Sequence, residues 1–204
     1  GNIQKSYEYY LKTLELEPNN SYALKGIAWI AFSHEKNTKE ANRIIDAISK
    51  THNTPDFYLL KAEIAEYENN QAVKNENLTA YFKMLTNSNY GAMYNKYNSL
   101  IYADGKNTAQ KALEIAKIEI EHRPTPDSYD LLAWSYYNLG DTKKALEIAE
   151  KYVVGKSFEP NLNYHLATIY KANNKVDKIA PIKEDLLKSI YELGPNMEQK
   201  IISL

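Results

Sequence analysis

The stretch PDSYDLLAWSYYNLGDTKKALEIAEKYV, Pro126 to Val153, reads as two helices with a stop between them. Thr125-Pro126-Asp127 opens the first helix, because proline is tolerated in a first turn, where its missing N–H would have no partner. Tyr129, Leu132, Ala133 and Tyr136 then recur at i, i+3, i+4 and i+7, one face of a 3.6-residue helix. Asn138-Leu139-Gly140-Asp141 ends that helix with glycine on its C-terminal side. Lys144 to Tyr152 forms a second amphipathic helix. Two helices of about 13 residues joined by so tight a turn make an αα-hairpin.

The hairpin is repeated. Lys111-Ala112-Leu113-Glu114-Ile115-Ala116 recurs as Lys144-Ala145-Leu146-Glu147-Ile148-Ala149, 33 residues on. A fixed period of this size marks an array of helix pairs. The same frame gives Leu24, Ile27, Ala28 and Ala31 on a first helix, with Ala41 and Ile45 on its partner. Leu166, Ala167 and Tyr170 lie on another first helix. A helix over Val176–Leu193 follows it, regular from about Pro181. Ser6–Asn20 has the pattern of a second helix ending at Pro18.

This pattern resembles the tetratricopeptide repeat, whose signature is W-x2-L-G-x2-Y, then A-x3-F, then P. Here it stands as Tyr129-x2-Leu132-Ala133-x2-Tyr136, then Ala145-x3-Ala149. The resemblance covers most of the chain, is clearest at 1–50 and 105–172, and is loose at 55–104. There Lys61 takes the usual leucine place, a helix is expected over Leu78–Leu85, and a Tyr-rich helix from about Tyr90 to Ala103. The resemblance implies an all-α fold, a right-handed α-α superhelix of antiparallel hairpins, about five in number. One repeat domain is expected over 1–193, beginning inside a repeat, with 194–204 as a tail or cap.

In such an array the first helices line the concave side. Opposite the inward face of Leu132, Ala133 and Tyr136 stand Asp127, Asp130, Trp134 and Tyr137. The equivalent set at 21–34 is Tyr22, Lys25, Trp29 and Phe32. At 160–172 it is Asn161, Tyr164, Thr168 and Lys171, and at 90–104 it is Tyr94, Tyr97 and Ile101. Both tryptophans of the chain fall in this set at corresponding places. Large rings with polar tips dominate binding energy at interfaces, so the face suits a peptide or protein partner. The competing assignment for Trp29 and Trp134 is packing between hairpins. For Tyr9, Tyr10, Tyr81 and Tyr152, on second helices, core packing is the expectation. Asp56, Glu63 and Glu66 could form an acidic patch, though solvated surface is the simpler expectation. A Lys/Asn/Arg carboxylate clamp known in the family is not matched. Lys25 is in place, but Trp29 stands where asparagine is needed, and the only arginines, Arg43 and Arg123, lie elsewhere.

Other chemistry finds no support. The chain has no cysteine, so disulfides, thiol catalysis and cysteine-bound zinc are excluded. His34, His52, His122 and His165 show no H-E-x-x-H or H-x3–5-H spacing, and His122 reads as a helix C-terminal histidine favoured by the dipole. The seven glycines are scattered singly, which leaves no phosphate-cradling loop, and there is no G-x-S-x-G. No catalytic residue, metal site or cofactor is therefore expected. A net charge of −1 argues against broad nucleic-acid binding, and no apolar run of about 18 residues exists to span a membrane. Gly1-Asn2-Ile3-Gln4-Lys5 is polar, unlike an export signal. Abundant lysine and asparagine read as the codon bias of an AT-rich genome, and the expected source is bacterial. Alternative roles are a self-associating or docking module, because open solenoid ends expose apolar faces, and binding of glycans or single-stranded nucleic acid through the aromatic rings.

Overall fold

The computed structural model describes residues 2–105 and 107–204, leaving Gly1 and Lys106 outside. Among the described residues there is no strand. The helices are α1 (Ile3–Leu16), α2 (Ser21–Ser33), α3 (Thr38–Ser49), α4 (Pro55–Tyr67), α5 (Gln71–Met84), α6 (Asn95–Asp104), α7 (Ala109–His122), α8 (Pro126–Asn138), α9 (Thr142–Tyr152), α10 (Pro160–Ala172), α11 (Ile179–Lys188), α12 (Ile190–Leu193) and α13 (Met197–Ile202). Consecutive helices pair as α2/α3, α4/α5, α6/α7, α8/α9 and α10/α11, while α1 packs on α2 as a lone half-unit. The fold is thus an all-α, tetratricopeptide-like array of helix hairpins.

The stretch 55–104, irregular as sequence, contains one whole hairpin and half of another. α5 starts at Gln71, seven residues before the expected Leu78, and α6 starts at Asn95 rather than near Tyr90. Asn70 explains the first difference: its side chain caps α5 by accepting from the Val73 N–H. A 3-10 turn at Ser88–Tyr90 delays α6. The expected 176–193 helix is likewise broken into a 3-10 turn at Val176–Lys178, then α11, then α12 after Ser189.

Four of the hairpin turns use one device. Lys36, Asn69, Gly140 and Asn174 have φ of 56°, 56°, 89° and 57°. The residue after each donates its N–H back to a carbonyl near the end of the finished helix: Asn37 to Ala31, Asn70 to Ala65, Asp141 to Tyr136 and Lys175 to Tyr170. This is Schellman-type closure, which uses carbonyls that the helix end leaves unpaired. In three turns that residue also caps the next helix through its side chain, at Asn37, Asn70 and Asp141. Each such cap stabilises by about 1 kcal/mol. Asparagine suits both places, since its short amide tolerates left-handed φ and mimics a backbone turn.

The chain divides into two compact units. The first is Gly1–Ser88 with Ile190–Glu198, and the second is Asn89–Ser189 with Gln199–Leu204. The first unit's core joins Ala28, Phe32, Ala41, Ile44, Ile45, Phe57, Leu60 and Ile64. The second unit's main core joins Ala133, Ala145, Ile148, Leu166, Ala167 and Ile169, with Tyr129 and Tyr152 packed against it. Those two rings stack at 3.9 Å. The segment 194–204 is packed rather than loose: Gly194 and Pro195 are buried in the first unit's share of the chain, and Ile201 in the second's. Tyr81 is buried, but Tyr9, expected in the core, is mostly exposed, and α1 as a whole buries no residue completely.

Ala133 and Ala145 are wholly excluded from solvent, and interiors packed this densely resist added volume. Ala133→Leu should lower the unfolding free energy by about 1–3 kcal/mol in urea titration; unchanged stability would show that α8 and α9 do not pack closely there.

Candidate functional site

In the first unit the candidate face is built by α2 and α4. Tyr22, Lys25 and Trp29 follow at three- and four-residue steps along α2, so they share one side. Tyr22 is 76% exposed and meets Tyr10 of α1 edge-on at 6.2 Å. Tyr10 lies against Gly26, where a Cβ would fall inside its ring, which accounts for a glycine in mid-helix. Burial pushes the Tyr10 hydroxyl up in pKa, and the nearby Tyr22 and Tyr191 push the same way. Lys25 Nζ is 3.2 Å from Asp56 Oδ1, in the first turn of α4. Trp29 is half-buried and packs edge-on against Phe32 at 5.9 Å. Its indole N–H donates to the Tyr191 carbonyl at 3.2 Å. The Asn196 side-chain amide donates to the Glu63 carbonyl at 2.8 Å. Phe32 is fully buried. It is a core residue, edge-on to Tyr67 of α4, and not part of an open face. Of the three acidic residues, Asp56 pairs with Lys25 and Glu66 with Lys74, while Glu63 lies beside Gly194.

In the second unit the face is shared by α6, α8 and α10. Lys96 Nζ is 2.7 Å from Asp127 Oδ1. Burial works against the Lys96 charge, but the hydrogen bond and charge of Asp127 outweigh it and hold the amine above its ordinary pKa. Trp134 is only 7% exposed. Its ring stacks on His165 at 4.1 Å and on Tyr137 at 4.9 Å, and its N–H donates to Asp104 Oδ1 at 3.0 Å. Asp130, at 2% exposure, has Oδ2 2.8 Å from His165 Nδ1, within hydrogen-bond distance. Tyr94 is buried, edge-on to Tyr90. Trp134, Asp130 and Tyr94 are therefore packing residues and not an open surface. The reason is geometric. A first helix touches its own partner and the flanking first helices, as α8 touches α6 and α10, so both of its sides are consumed. What remains toward solvent is Tyr97, the Lys96–Asp127 pair, and the half-buried Tyr137 and Tyr164. Burial raises the Tyr164 hydroxyl. Exposed Lys171 donates to the Ser203 carbonyl, Asn161 is exposed, and Ile101 and Thr168 are half-buried.

Sequence reasoning misses the parts that Lys96, Asp104 and His165 take in this face, although a signal exists. Lys25 reaches Asp56 and Lys96 reaches Asp127 over the same separation of 31 residues. Each aspartate follows the proline that opens a first helix. Asp104 with Trp134, and Asp130 with His165, likewise pair across about one repeat. Among the described residues no three His, Cys, Asp or Glu side chains converge as metal ligands, and no helix is long and apolar enough to cross a membrane.

No protein-family model and no curated protein matches the chain. Among solved structures it is similar to the crystal structure of the APC/C hetero-tetramer Cut9-Hcn1, with a TM-score of 0.59 and 16% identity. The match covers 99% of this chain and 39% of that one. At this identity the likeness establishes the helical-repeat fold and does not bear on the source of the chain.

The buried pair gives a pH test. Desolvation raises the Asp130 carboxyl pKa above its ordinary 3.8, and it outweighs the opposing pull of His165. An acid raised in the folded state contributes stability that is complete below its unfolded value and lost as pH rises through its folded value. Relative to wild type, Asp130→Asn should therefore gain stability as pH rises from about 4. Urea titrations at several pH values check this, and a pH-independent difference would contradict it.

Proposed function

We propose that this chain is a protein-interaction scaffold whose first-helix faces hold a peptide or protein partner. One observation carries the reading. On the α2/α4 face of the first unit, Trp29 donates to the Tyr191 carbonyl of the segment Ile190–Glu198, and that segment's Asn196 amide donates to the Glu63 carbonyl of α4. A face that takes a turn of chain by one bond to its main chain and one from its side chain has the groups to take up a peptide. The helical-repeat fold supports the reading, since such arrays act through extended faces rather than through a catalytic cleft. The similar solved structure is that of a hetero-tetramer, which is consistent with a role among protein partners.

Peptides selected by display against the full chain should bind in a way that Trp29→Ala or Tyr97→Ala weakens by about tenfold or more, as expected for aromatic anchors. Binding that survives both substitutions would refute the role of these faces.

A second reading, self-association, is favoured by α1. It buries no residue completely, and Leu16 is 90% exposed, with Tyr9 also exposed on the same side seven residues earlier. Sedimentation should then show concentration-dependent assembly that Leu16→Lys abolishes. A monomer at every concentration would reject it.

A further inference from the structure

We infer that the Trp29–Glu63 face is a recognition site for a short peptide carrying the sequence pattern Leu-Gly-Pro-Asn after a helical turn, and that Ile190–Asn196 is its occupant in cis. The inference rests on the scaffold reading and names its ligand.

The segment is arranged as a bound motif is. Leu193, Gly194 and Pro195 are buried, whereas Glu192 before them and Glu198 after them are exposed. α12 is a single helical turn. Gly194 ends it with φ +82° and donates its N–H to the Ile190 carbonyl at 2.9 Å. A Cβ at Gly194 would stand 2.6 Å from Glu63 Oε1 and 3.0 Å from Trp29 Cη2. The left-handed backbone favours glycine here, and the close Trp29 ring leaves little room for a Cβ. Proline then fixes the exit direction, and the Asn196 side-chain amide donates to the Glu63 carbonyl. The Trp29 donor reads only main chain. Specificity on this inference resides in the buried Leu193, Gly194 and Pro195 and in Asn196.

A ligand already in place lowers the apparent affinity for the same motif in trans by the fraction of chains whose face is open. The test uses the whole 204-residue chain and a fluorescein-labelled synthetic peptide of residues 188–198, followed by anisotropy. Gly194→Val in the chain ejects the cis segment, so the labelled peptide should bind this variant at least about tenfold more tightly than wild type. Adding Trp29→Ala, or placing valine at the peptide's own glycine, should abolish that gain. Asn196→Ala, which removes one hydrogen bond and strains nothing, is the second variant; it should raise binding by a smaller factor. Circular dichroism reports whether each variant is folded. If neither Gly194→Val nor Asn196→Ala raises binding of the peptide, the segment is a fixed part of the unit and the inference falls. It also falls if the gain survives Trp29→Ala. The scaffold reading stands or falls separately, on the display-selected peptides and on Tyr97.

Discussion

Where two helices of a hairpin meet, the side chain at the crossing sets the spacing of everything beyond it. Ala133 and Ala145 share one core cluster with no solvent access to either. Ala28 and Ala41 stand in the same relation in the first unit. Small residues let the backbones approach, and the larger Ile45, Ile148 and Ile169 then reach across to the next helix. Volume added at an alanine has nowhere to go in an interior packed to crystal density. The first-helix faces inherit their geometry from this spacing, because α2, α8 and α10 are held by the alanines on their inner sides.

The turns supply the second constraint, and they change the meaning of the composition. Asparagine abundance reads as codon bias when the sequence is taken alone. In the structure Asn2, Asn20, Asn37 and Asn70 accept backbone N–H groups at helix starts, while Asn69, Asn107 and Asn174 occupy left-handed positions. The residue type is used where the chain must stop and restart. Gly140 gives its hairpin turn a conventional stop in the left-handed position, which makes the hairpin at 126–153 the most legible.

The hairpin count and the pairing of helices are readable from the 33-residue repeat and the alanine places. The surface is less readable, for a physical reason. A helical wheel divides a helix into one buried and one open side, but a first helix in an array has neighbours on both. The wheel turns Phe32, Asp130 and Trp134 outward, and all three are buried. Tyr22 and Tyr97, in the same set, are exposed. The difference depends on which neighbour reaches over each position, and that is long-range information. The Lys–Asp pairs at a separation of 31 are within reach of the sequence, because opposite charges at corresponding repeat positions are a local pattern read twice.

The order of the chain gives the first unit an unusual position in time. Residues 1–88 belong with residues 190–198. A ribosome adding about 5–20 residues per second makes the second unit's helices in between, a delay of roughly 5–20 s. Through that interval Trp29 has no Tyr191 carbonyl to bond, and the α2/α4 face is uncovered. The unit that begins folding first waits for residues 190–198 to be complete, so during every round of synthesis its face is open to whatever else in the cell can fill it.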